Sequence, residues 1–351
     1  MNATFAASAR MATIGSWEAE DVTVGQVEAA LSDLRRHERR AAVRASVVTL
    51  VAVVADDSAA DAALEIVYDL GSRHPSRTIV LVLEEEEDPE KGTRLDATAS
   101  VNAVDRSGRT VCFEDVVLRV RGRARHHLDS VVEPFTLPDL PVVVWLPAQL
   151  PAPGDPLLSV ADRIVVDSRA VAGAGTAPGG ETHAVLPSIA ALARRLPVAD
   201  LSWTRLAPWR SLLAGLFEGA EFRPFLREIE RVEVAGNYGP RHLLGGWLLR
   251  RLGVPDTRVI LSPADHVSIR ITAAHRDRTG VFAVERPGNA RVIHSSVHID
   301  RGPSLSQTVR MRQQWPALAL AGALTRMGRD DLYCQAIEGA LELRKAGTAT
   351  P

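Results

Sequence analysis

Residues Ala45 to Ala55 form a largely β-branched run that is apolar on both faces, as expected of a strand buried on both sides. Thr78 to Leu83 and Pro141 to Leu146 repeat that character, and Arg163 to Asp167 is a shorter version of it. Helical spacing separates them. Val24 to His37 places Val27, Ala30, Leu31 and Leu34 on one side. A second helix carries Leu64, Ile66, Val67 and Leu70, with Asp57 or Ser58 as its cap and Gly71 as its stop. Strand, helix and strand in that order predict a parallel βαβ unit. Leu95 to Val104 and Thr110 to Arg121 alternate instead, around the turn Asp105 to Gly108, and predict an antiparallel hairpin. Helices over about Ala124 to Val132 and Thr182 to Leu196 complete the first half. The fold class expected there is α/β: a mixed, mainly parallel sheet flanked by helices.

The second half has a different rhythm. A helix over Ala207 to Phe217 starts with Pro208 in its first turn. A strand at Ile229 to Val234 and a helix at His242 to Leu252, closed by Gly253, follow. Four strands then come at short spacing: Arg258 to Leu261, Val267 to Ala273, Gly280 to Glu285 and Arg291 to His298. Their connections are too short for helical crossovers, so an α+β domain with a largely antiparallel sheet is expected. Two helices end the chain, about Leu305 to Met327, kinked by Pro316, and Asp331 to Leu343. Residues 1–22 are expected to be a flexible N-terminus, 23–198 the α/β domain and 199–351 the α+β domain. The Pro/Gly/Ala-rich stretch Val171 to Gly180 is expected to be a loop inside the first domain.

Length and charge narrow the function. The 351 residues suit two domains at roughly 150 residues each, and a formal net charge of −2 lacks the basic excess of a nucleic-acid binder. Basic residues are almost all Arg; Lys appears only at Lys91, beyond the acidic run Glu84 to Glu87, and at Lys345. Arginine suits paired contacts with carboxylates and phosphates. Cys112 and Cys334 make neither a disulfide framework nor a zinc pattern, so a reducing cytoplasm is the expected compartment. No signal-peptide pattern opens the sequence, and no apolar stretch reaches the roughly 20 residues that span a bilayer.

Motifs of common catalysts are missing from the sequence. Ala55 to Ser58, after the first buried strand, lacks the glycines of a dinucleotide fingerprint. Neither a phosphate-loop Gly-Lys-Ser/Thr, a Gly-x-Ser-x-Gly elbow nor a His-Glu-x-x-His occurs. A non-enzyme without cofactor or metal is the expectation. His126 and His127 are adjacent and diverge on a helix. His294 and His298 share one strand face, with His266 on a neighbouring strand, and read as polar residues on a wet sheet face before they read as ligands.

One cluster stands out. Trp203, Arg205, Trp209 and Arg210 bring together residue types enriched at interface hot spots. The same pattern fits packing between domains, and both alternatives stay open, as does an Arg-lined anion site of a sugar-phosphate enzyme or sensor. Asp167 and Ser168 follow a strand's carboxyl end, where open α/β sheets bind ligands, so a peptide or anion contact there is a further expectation. Arg77 lies at the opposite end of its strand and reads as structural.

Several segments form an ordered series: His74-Pro-Ser-Arg77, Ser130-Val-Val-Glu-Pro134, Leu137-Pro-Asp-Leu-Pro-Val-Val-Val-Trp145, Asp200-Leu-Ser-Trp-Thr-Arg205, Pro208-Trp-Arg210 and Leu243-Leu-Gly-Gly-Trp-Leu248. In this order they resemble the OpcA family of glucose-6-phosphate dehydrogenase assembly proteins, over about residues 40 to 345. The resemblance implies a cytoplasmic, non-enzymatic protein that binds glucose-6-phosphate dehydrogenase, promotes its active oligomer and raises its activity. It implies no cofactor, no nucleic acid and no membrane.

Overall fold

The computed structural model describes residues 11–37, 46–70, 74, 76–83, 93–106, 109–175, 182–288, 291–311 and 316–348. By internal packing the chain divides into two units: Met1–Val166 with Pro316–Met327, and Asp167–Trp315 with Gly328–Pro351.

The first unit begins with β1 (Met11–Ala19), α1 (Val24–His37), β2 (Val48–Val54), α2 (Asp57–Leu70) and β3 (Ser76–Val82). The long hairpin β4 (Arg94–Arg106) and β5 (Arg109–Arg121) follows, then α3 (Leu128–Val132), β6 (Val142–Leu146), α4 (Leu157–Val160) and β7 (Arg163–Val166). These strands lie in the order β1-β4-β5-β3-β2-β6-β7. The pairs β1–β4 and β4–β5 are antiparallel; β5–β3, β3–β2, β2–β6 and β6–β7 are parallel. Every residue of β2, β3, β6 and β7 is buried, which is why their sequences are mostly apolar and do not alternate; the polar exceptions, Thr49, Ser76, Arg77, Thr78 and Arg163, are buried too.

Some details differ from the sequence reading. Residues 1–22 do not all fray: Met11–Ala19 pairs with β4, with Gly15, Trp17 and Ala19 half-buried on one face. The cap of α2 is Asp56, whose Oδ1 accepts from the Ala59 amide at 2.8 Å; Asp57 is the first helical residue. Gly71, the acidic run 84–87 and Lys91 lie outside the described residues.

The second unit runs α5 (Ser168–Ala174), α6 (Val185–Arg195), β8 (Val198–Asp200), α7 (Leu201–Arg205), α8 (Ala207–Gly215), β9 (Ile229–Gly236), α9 (Tyr238–Leu252) and β10 (Val259–Pro263). Then come β11 (Ser268–His275), β12 (Arg278–Glu285), β13 (Val292–Ile299) and β14 (Ser304–Arg310). Its six-stranded sheet has the order β10-β9-β11-β12-β13-β14. Only β9–β10 is parallel, because α9 supplies their crossover. One face buries Ile269, Ile271, Phe282, Val284, Ile293 and Val297. Phe282 stacks on Phe217 at 4.2 Å and meets Phe225 edge-on at 5.7 Å.

The chain closes with α10 (Pro316–Thr325), which packs against α2 in the first unit, and α11 (Asp331–Thr348), which packs against α9 in the second. No kinked helix spans 305–327. Ser304–Arg310 is instead the exposed strand β14, paired with β13, and Pro316 is the first residue of α10, where its missing N–H costs nothing. The loop expected at Val171–Gly180 is helical up to Ala174, because Asp167 caps α5; Gly175, at φ 66°, stops it.

No helix among the described residues is long and apolar enough to cross a membrane.

Candidate functional site

The residues singled out by sequence converge within the second unit. Asp200 caps α7: its Oδ1 accepts from the Ser202 amide at 2.8 Å and from the Ser168 amide at 3.1 Å. Asp167 caps α5, accepting from the Arg169 amide at 3.3 Å and from the Ser202 hydroxyl at 2.7 Å. Its other oxygen pairs with the Arg205 guanidinium. Two short helices are thus pinned to each other by exchanged caps, a use of Asp and Ser that N-cap chemistry favours.

The aromatic half sits beside it. The Arg210 guanidinium carbon lies 3.4 Å over the Trp203 ring, and Arg210 donates to the Trp203 carbonyl at 2.9 Å. Trp203 donates its indole N–H to Asp330 at 3.2 Å, and its ring meets Tyr333 at 6.1 Å. Asp330 also accepts from the Tyr333 amide at 3.0 Å, and the Tyr333 hydroxyl lies 3.3 Å from Asp200. Trp203 and Trp209 are 4% and 5% exposed, so neither tryptophan presents a face to a partner; Arg205 and Arg210 are half-buried at the rim. Ser168 is fully buried.

Burial sets the electrostatics. Asp200 is pushed up to about 6, first by desolvation and then by the charge of Asp167, against the hydrogen bonds that it accepts. Arg210 is lowered to about 10 by desolvation, partly offset by Asp330, and stays cationic at neutral pH. Burial likewise raises Tyr333 and so keeps its hydroxyl protonated. This is a cross-braced polar core, and its arginines are engaged by the chain's own groups. Asp330 and Tyr333 were missed in the sequence. Their one local signal is the Asp-to-Tyr spacing at the start of α11.

Arg77 and the other singled-out residues have separate settings. In the first unit, Arg77 holds Glu114 at 2.8 Å and donates to the Phe135 carbonyl at 3.1 Å, while Arg35 holds the same carboxylate at 2.8 Å. These side chains, with Cys112, line a cavity of about 300 Å3. The structural reading of Arg77 fits these contacts. At the carboxyl ends of β2 and β6, Gln149 donates to the Val53 carbonyl at 3.2 Å. His294 and His298 face hydroxyls on β14, Thr308 at 3.1 Å and Ser304 at 3.0 Å. No three His, Cys, Asp or Glu side chains among the described residues gather as a metal site.

The glycines of the Leu243–Leu248 segment mark a close helix crossing. A Cβ on Gly246 would stand 2.1 Å from the Ala336 carbonyl oxygen and 2.2 Å from the Ala340 nitrogen, and Gly339 faces Gly246 from α11.

Comparison with known proteins matches both halves in order. Residues 67–179 match the family described as glucose-6-phosphate dehydrogenase subunit N-terminal domain, and residues 196–337 the corresponding C-terminal domain. A protein named OxPP cycle protein OpcA from Synechocystis sp. is 30% identical over 190 residues, 52% of this chain and 38% of that protein. Its namesake from Nostoc punctiforme is 28% identical over 224 residues, 61% of this chain and 46% of its own length. The chain therefore spans less than half the length of these relatives. With both domain descriptions matched in sequence order and relatives of that name at 30% and 28% identity, the chain belongs to the OpcA family.

Proposed function

We propose that this chain is a non-catalytic partner of glucose-6-phosphate dehydrogenase that binds the enzyme and favours its active oligomer. The observation that carries the reading is the ordered match of both halves to domains described as belonging to a subunit of that dehydrogenase. The site chemistry is compatible with it. The arginines that a sugar-phosphate enzyme would turn toward substrate are engaged internally, Arg205 by Asp167 and Arg210 by the Trp203 ring and carbonyl.

In this reading the buried tryptophans act as braces. They hold the rim that carries Arg205 and Arg210, and that rim is the part of the cluster proposed to reach the partner. Activation needs a difference in affinity between two states of the enzyme, since equal binding to both shifts nothing. A preference of about 1–3 kcal/mol would be typical of such coupling. The setting proposed is the cytoplasm.

The test is to titrate the purified chain into the dehydrogenase of the same organism, reading rate and mass by size-exclusion with light scattering. A saturable rise in rate with a co-eluting complex is expected, and the chain alone should turn over nothing. An unchanged rate and separate elution at micromolar concentrations would refute the reading.

A further inference from the structure

The outer strand of the second unit's sheet is bare along its length. Six of the seven residues of β14 are exposed, Val309 is half-buried, and Leu305 is 50% exposed. Its pairing with β13 runs without a register shift from Ser304 to Arg310. The strand contains no proline, lysine or bulge, the devices that commonly protect an open edge. The other outer strands are blunted or short: β10 ends in Pro263, β1 is irregular between Thr13 and Gly15, and β8 is three buried residues long.

The direction of its open hydrogen-bonding groups follows from the ladder. Ile299 donates to the Pro303 carbonyl at 3.3 Å, and Met311 donates to the Arg291 carbonyl at 2.9 Å. Bonded and non-bonded pairs alternate in an antiparallel ladder, so the odd-numbered residues of β14 bond to β13. Ser304, Ser306, Thr308 and Arg310 turn their N–H and C=O groups outward.

We propose that β14 pairs with β14 of a second copy of this chain, antiparallel about a two-fold axis at Gln307, joining two six-stranded sheets into one. The sequence Ser-Leu-Ser-Gln-Thr-Val-Arg complements itself in this register. Leu305 faces Val309 of the other copy, Ser306 faces Thr308, and Ser304 faces Arg310, each twice; Gln307 meets its own copy on the axis. The outward-turned residues then pair only with one another, as the ladder requires. Leu305 and Val309 gain apolar neighbours, and the two arginines lie at opposite ends instead of face to face. A two-fold contact must be made by one patch complementary to itself, and this strand meets that condition over its full length. The inference does not depend on the dehydrogenase reading.

The test uses the full chain. Mass by light scattering across a wide concentration range should show a monomer–dimer equilibrium. Ser306→Pro removes an outward N–H but no bond to β13, and should weaken the dimer at least about tenfold while leaving the monomer's thermal transition in place. Gln307→Cys should form a reducible covalent dimer, since its Cα atoms would face across a non-bonded pair at about 4.5 Å. Leu305→Cys should not, because its two copies would lie about 13 Å apart along the strands. The wild type, whose two cysteines are Cys112 and Cys334, is the blank. A chain that stays monomeric with no Gln307→Cys cross-link, or a dimer indifferent to Ser306→Pro, would overturn the proposal. Loss of dehydrogenase co-elution in Ser306→Pro with no dimer in the wild type would also overturn it, and would give the edge to a strand of the enzyme.

Discussion

At the residue scale, the polar core of the second unit is held by paired groups whose separate loss is costly. Arg205→Ala leaves the Asp167 carboxylate, 12% exposed, without its cation. Removing one partner of such a bond is expected to cost about 1–3 kcal/mol, read as a lower denaturation midpoint; an unchanged midpoint would show that Ser202 and the Arg169 amide suffice. Two groups respond to pH with opposite sign. Burial lowers His242 from 6.5 to about 4, so between those values the unfolded chain takes up a proton that the folded one refuses. Its contribution to stability therefore falls as the pH falls through that window. Asp200, raised from 3.8 to about 6, keeps a proton that the unfolded chain has lost, so its contribution falls as the pH rises from about 4 to 6. Relative to wild type, His242→Gln should gain up to about 3 kcal/mol on acidification from pH 6.5 to 4, whereas Asp200→Asn should lose ground. Urea midpoints that run parallel to the wild type across that range would contradict both assignments. Part of this was legible: the Trp/Arg cluster stood out by residue type, whereas the cap at Asp200 did not, because the helix expected here begins at Ala207 and α7 is only five residues long. The contact of Asp200 with Tyr333 was hidden as well, because no periodicity links residues so far apart in sequence.

At the element scale, the buried strands were the most legible. A run that is apolar at every position has no wet face, and β2, β3 and β6 were expected from that alone. Edge strands hide for the converse reason. β1 and β14 have little to bury, so their sequences carry weak alternation, and β14 was read as helix. The crossing of α9 and α11 was invisible too, since glycine in a helix signals only a propensity cost until its neighbour is known. Gly246→Ala forces a Cβ against the backbone of α11 and should destabilise the protein by about 1–3 kcal/mol, despite alanine's better helix propensity. Gly173→Ala in α5 meets nothing within 4 Å and should be neutral or stabilising by up to about 1 kcal/mol. Thermal midpoints that move alike for the two variants would mean that α11 shifts freely.

At the scale of the whole molecule, both fold classes were legible, and the late return of the chain to its first unit was not. α10 reads as an alanine-rich helix that could pack anywhere; its buried residues, Leu320 and Leu324 among them, belong with the first unit. Residues 1–198, cut at the expected boundary, should therefore expose apolar surface and gain stability when a peptide spanning 316–327 is added. An unchanged midpoint at saturating peptide would make α10 dispensable. The placement of α10 also bears on synthesis. Chains emerge from the ribosome amino end first, and domains tend to fold as they appear. Here the first unit lacks one of its helices until most of the second has been translated, so its closure waits for residues 316–325, and a chain stalled or truncated before them would display an unfinished surface to chaperones and proteases.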